Sequence, residues 1–156
     1  MTTYLFDTTY ILPFFGVEIT ISHIKEELER ILVSKKQTIL LSTCSLIEAK
    51  WKALHNFSKT RNQTYLTRAN IALESFKTSQ YFTLIDSWYL KDACNAADEL
   101  YTHGHSDYMD CWIAGTAKVK EAIFITEDNP LKDAINQLPE WQNLSVLSWE
   151  TFLSEA

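Results

Sequence analysis

The chain is short of the residues that break structure. Its 156 residues include only three glycines and three prolines, so no long flexible linker is expected. The length fits a single domain spanning 1–156, large enough to bury a real core. No repeat or low-complexity tract appears. There are three cysteines, Cys44, Cys94 and Cys111, with neither CxxC nor Cys/His spacing. Their odd number and apolar surroundings argue against a disulfide framework or a zinc site and suit reduced core thiols in a cytoplasmic protein. No apolar run approaches the roughly 20 residues of a membrane-crossing helix. The opening MTTYLFDTTY lacks the basic region of a signal peptide, so no membrane partner is expected. The composition, 46% apolar and 22% charged, is that of a soluble globular chain rather than a disordered one.

Acids are missing from one stretch. The net charge is −6, which argues mildly against a nucleic-acid binder. Yet 49–73 has no Asp or Glu and carries Lys50, Lys52, Lys59, Arg61 and Arg68. That segregation gives either a basic face beside an acidic pocket or an ordinary solvated helical surface.

Short apolar runs alternate with helical patterns. Strands are expected at 3–7, 37–43, 81–86, 122–128 and 144–149. Helices are expected at 22–34, 45–57, 62–79 and 88–103, then from Asp107 onward, near Pro130 and at the C-terminus. Gly104 is expected to stop the fourth of these helices. Ile113, Ala114 and Ala117 recur as a core-facing stripe. The alternation predicts an α/β fold with a mostly parallel sheet of four to five strands covered on both faces. Ligands of such sheets bind beyond the carboxyl ends of the strands.

Four acids fall at that edge. Asp7 and Asp128 end strands, Glu48 opens the helix after the second strand, and Asp110 opens the helix leading into the fourth. Each also has a structural explanation. Ser45 and Glu48 fit a capping box, Asp107 an N-cap with Asp110 in the first turn, and Asp128 a helix start before Pro130. Together they imply a cation, because like charges at 4–6 Å repel by roughly 3–4 kcal/mol per pair at an effective dielectric near 20. With oxygen donors and neither His nor Cys among them, Mg²⁺ or Mn²⁺ is the natural choice. One or two such ions suit hydrolysis of a phosphodiester. His103 and His105, flanking Gly104, read as a surface loop. Trp51 reads as core rather than as a base-stacking residue beside Tyr65 and His55.

Four segments carry a resemblance: YLFDTTYIL (4–12), STCSLIEAKWKAL (42–54), DCWIAGTAK (110–118) and IFITEDNPLK (123–132). In this order and spacing the chain resembles PIN-domain ribonucleases, and at this length VapC-like toxins of type II toxin–antitoxin systems. The resemblance implies a three-layer α/β/α fold and an endoribonuclease that uses Mg²⁺ or Mn²⁺. It assigns Asp7, Glu48, Asp110 and Asp128 to the metal and Thr9 and Thr126 to support. It implies an RNA substrate, a homodimer and a cognate antitoxin, with RNA processing as another use. Asp107 departs from the motif and is either a fifth metal contact or a cap. Lys50, Lys52, Arg61 and Arg68 become candidates for the RNA backbone. The competing readings are a catalytically weak or inactive PIN-like RNA- or protein-binding module, and an aspartyl phosphatase built on FDTT. The second lacks its required acid, because Thr9 stands there.

Overall fold

A computed structural model describes residues 2–34 and 36–155. Five strands, β1 (Thr3–Phe6), β2 (Thr38–Ser42), β3 (Phe82–Ile85), β4 (Ile123–Ile125) and β5 (Val146–Leu147), form one sheet in the order β3-β2-β1-β4-β5. Every pairing is parallel, with Leu5 opposite both Leu40 and Phe124, and Phe6 opposite both Leu41 and Ile125. The helices are α1 (Ile24–Ser34), α2 (Thr43–Thr60), α3 (Thr64–Thr78), α4 (Lys91–Thr102), α5 (Tyr108–Val119), α6 (Asn129–Gln137) and α7 (Trp149–Glu155).

The period of two along the strands sorts the core into layers. Leu5, Leu40 and Phe124 face one side and meet Ala97 and Leu100 of α4, Ile113, Ala114 and Ala117 of α5, and Leu131 and Ile135 of α6. Tyr4, Phe6, Ile39 and Ile125 face the other side and meet Leu28 and Ile31 of α1 and Phe152 of α7. Leu41 joins Ala49 and Ala53 of α2 and Phe76 of α3. Helices on both faces make the expected three-layer α/β/α fold. The stripe at Ile113, Ala114 and Ala117 is fully buried, the Ile113 side chain alone contributing about 1.5–3 kcal/mol.

Element boundaries moved in ways the chain explains. The capping box expected at Ser45 and Glu48 does not form. Ser42 ends β2 and accepts from the Cys44 N–H, so α2 starts at Thr43 and Ser45 is buried in its first turns. After β1 the chain turns through 3-10 segments at Thr8–Tyr10 and Leu12–Phe15, where Pro13 occupies the start of the second. The strand expected over 144–149 is only Val146–Leu147, and α7 takes the residues after Ser148. Trp51, expected in the core, is 62% exposed and stacks on the exposed His55. Cys44 and Cys111 are buried free thiols and Cys94 is a half-buried one.

Candidate metal centre

The strand order changes direction between β1 and β4. Connections leave β1 toward β2 on one side, while β4 lies on the other. The crevice at such a point opens at the carboxyl ends of the strands. Asp7 follows β1, and its backbone N–H donates to Ile125 O at 3.0 Å. Thr126, Glu127 and Asp128 follow β4. Glu48 comes in from α2, and Asp107 and Asp110 from the start of α5. Asp7, Thr8, Thr9, Glu48, Lys52, Asp107, Asp110, Glu127 and Asp128 line one cavity of about 300 Å³.

Each acid is held by its own element. Asp7 accepts from the Thr8 N–H at 2.6 Å, and its Oδ2 accepts from the Thr126 hydroxyl at 2.7 Å. Asp128 caps α6 by accepting from the Leu131 N–H at 2.8 Å. Asp107 caps α5, its Oδ1 accepting from Met109 N at 3.0 Å and Asp110 N at 3.4 Å. The cap expected at Asp107 therefore forms, and Asp107 also borders the cavity. Glu48 sits in the second turn of α2 rather than at its start. It accepts from the Thr8 hydroxyl at 2.5 Å and pairs with Lys52 Nζ at 2.5 Å.

The electrostatics follow from this crowding. Burial, with Glu48 beside it, pushes the Asp7 carboxyl up to about 6, against the pull of the Thr126 and Thr8 hydrogen bonds. Burial and the neighbouring charges of Asp7, Asp107, Glu48 and Asp128 push Asp110 up to about 8. Burial lowers the Lys52 ammonium, but Glu48, Asp110 and Asp7 outweigh it and hold the pKa above its ordinary value. One lysine thus shares the cavity with six carboxylates, those of Asp7, Glu48, Asp107, Asp110, Glu127 and Asp128. The donor chemistry fits a divalent cation, whose charge would remove the repulsion felt by Asp110.

Three residues of this neighbourhood were missed by sequence reasoning. Thr8, not Thr9, is the buried hydroxyl that bonds an acid; Thr9 lines the cavity half-buried. Glu127 borders the cavity while accepting from Tyr10 Oη at 3.1 Å and the Trp149 N–H at 2.6 Å, so it ties α7 to the site. His105 is not on the surface. It is 7% exposed, with Nε2 3.6 Å from Asp110 Oδ2, whereas His103 is exposed as expected. A ring nitrogen of His105 and carboxylate oxygens of Asp110 and Asp128 all lie within 4.8 Å of one another.

The four basic candidates diverge. Lys52 enters the cavity. Lys50 bonds Asn70 of α3. Arg61 ends α2 in a left-handed conformation with its guanidinium over the Phe57 ring. Arg68 reaches Pro13 O at 3.5 Å.

Fold and site together define a parallel α/β protein with an acidic pocket at its topological switch point. No family model and no curated protein matches the chain. Solved structures do match. VapBC2 from Rickettsia felis, bound to a DNA fragment from its promoter, superposes with a TM-score of 0.63 at 19% identity, covering 95% of this chain and 99% of that one. VapBC-1 from nontypeable Haemophilus influenzae gives 0.63 at 19%, covering 96% and 99%. PAE2754 from Pyrobaculum aerophilum gives 0.63 at 13%, covering 99% and 88%. The chain has a VapC-like PIN fold.

Proposed function

We propose that this protein is a metal-dependent endoribonuclease, the toxin of a type II toxin–antitoxin pair, acting in the cytoplasm. The observation that carries the chemistry is the convergence of Asp7, Glu48, Asp107, Asp110 and Asp128 on one cavity. The fold shared with VapBC complexes supports an antitoxin as partner; a homodimer as the working unit is part of the same proposal.

Asp7, Glu48, Asp110 and Asp128, with Asp107 alongside, would hold one or two Mg²⁺ or Mn²⁺ ions. An ion bound there supplies a water of lowered pKa and neutralises charge on the phosphorus oxygens. The chain's own groups set the geometry. Thr126 orients Asp7, Thr8 orients Glu48, and Asp128 is fixed by the helix it caps. Lys52 places an ammonium at the cavity wall, where it can meet a phosphate oxygen. Lys50, Arg61 and Arg68 serve, in this reading, as outlying contacts to the RNA backbone. Cleavage of this class leaves a 5′-phosphate and a 3′-hydroxyl.

The test is cleavage of a structured RNA by purified protein with Mg²⁺ or Mn²⁺. Asp7→Asn and Asp128→Asn are each expected to lower the rate at least about 100-fold, the scale of losing one preorganised electrostatic group. Undiminished cutting by either variant refutes the mechanism. Co-purification with the product of an adjacent short reading frame, and a dimer by light scattering, test the partners.

A further inference from the structure

We propose that His105 is a ligand of this metal centre through Nε2, making it a mixed nitrogen–oxygen site selective for first-row transition ions over Mg²⁺. The inference rests on the metal-centre reading above and goes past its all-carboxylate donor set.

The backbone delivers this side chain. Gly104, at φ 109°, turns the chain out of α4. Gly104 N donates to Tyr101 O at 3.1 Å and His105 N to Leu100 O at 3.3 Å, the paired bonds of a Schellman motif. The residue after the glycine in that motif usually makes an apolar contact with the helix. Here it is a histidine, and its side chain is 6% exposed. Its Nε2 is buried without a hydrogen-bond partner among the described residues. A buried polar nitrogen left unmatched costs about 1–3 kcal/mol. Asp110 Oδ2, of a residue on the cavity lining, stands 3.6 Å from it, beyond hydrogen-bond reach.

The distances suit one shared ion. Two donors each about 2.1 Å from an ion stand at most about 4.2 Å apart. The His105–Asp110 pair is already inside that limit. The full set with Asp128 spans no more than 4.8 Å, close to that limit. Imidazole suits borderline ions, while Mg²⁺ prefers oxygen donors, so one nitrogen shifts the preference between them.

The test uses Mn²⁺ on the full-length protein. Pulsed electron paramagnetic resonance of the Mn²⁺ complex is expected to show coupling to one ¹⁴N nucleus, absent in His105→Ala. Calorimetry is expected to show Mn²⁺ affinity falling at least about tenfold in His105→Ala, with Mg²⁺ affinity changed by less than about threefold, the lower end of ligand-shell effects. His105→Gln keeps a hydrogen-bonding side chain and should lose the coupling as well. Mn²⁺ binding without ¹⁴N coupling in the wild type overturns the ligation while leaving the acidic metal centre standing. Equal loss of both metals in His105→Ala also overturns it, since a merely supporting histidine acts on both alike. Absence of any divalent-ion binding overturns both readings. The wild-type spectrum decides the question even if a variant fails to fold.

Discussion

Asp110→Asn should make the metal-free protein more stable at pH 8 than the wild type. The Asp110 side chain is 15% exposed and its carboxyl is raised from 3.8 to about 8 by burial and four acidic neighbours. The native state then holds a proton that the unfolded chain releases. Stability is undiminished below about pH 4, where both states are protonated. It falls as pH rises from the unfolded value toward the folded one. Each unit corresponds to about 1.4 kcal/mol, so the unscreened cost near pH 8 is roughly 5 kcal/mol. Water and counter-ions reach an open cavity and screen part of this, leaving about 2–3 kcal/mol as the working value. Asparagine removes the charge at nearly constant size. For a chain of this length, that gain is a rise of roughly 5–10 °C in melting temperature. The assay is thermal unfolding in chelator at pH 4.5 and pH 8. The gap between variant and wild type should be wide at pH 8 and small at pH 4.5. Excess Mn²⁺ should stabilise the wild type more than the variant, because it binds the native acidic cluster. A variant no more stable than wild type at pH 8, or a gap equal at both pH values, refutes the electrostatic reasoning.

Other consequences can be measured alongside it. Thr126→Val removes the hydroxyl bonded to Asp7 Oδ2, a bond that lowers the Asp7 pKa. Metal binding followed against pH should therefore shift to higher pH in this variant. Gly115→Ala places a Cβ 2.5 Å from the Ala93 carbonyl oxygen, where α4 and α5 pack closely. Urea unfolding should show a loss of about 1–3 kcal/mol or more, the range for overpacking. Replacing Lys50, Arg61 and Arg68 together by alanine should flatten the salt dependence of RNA binding by up to about two to three units of log–log slope, read by fluorescence anisotropy. An unchanged slope removes these residues from the RNA contact.

Much of the fold was legible because it depends on short-range pattern. The alternation of buried strand and amphipathic helix fixed the layers and the parallel sheet. Local chemistry also showed through: Asp107 and Asp128 cap α5 and α6, and Gly104 ends α4 in a positive-φ turn. Boundaries failed where two adjacent signals compete. Ser42 and Ser45 are both good caps, and the strand end at Ser42 selected the first. Trp51 was misplaced because composition does not show which face of α2 meets α3.

By itself the sequence determined which acids follow the strands, and so that Asp7 and Asp128 would meet at one edge. It also determined the helix starts and the stripe that α5 buries, since each depends on neighbours within a few residues. Only the tertiary structure decided what surrounds those acids. Thr8 bonds Glu48 across 40 positions and Thr126 bonds Asp7 across 119. His105, which a local reading puts on the surface, turns inward because a glycine turn aims it at a helix that only the packed fold brings there. Such contacts follow from the close approach of distant elements, and no local pattern encodes them.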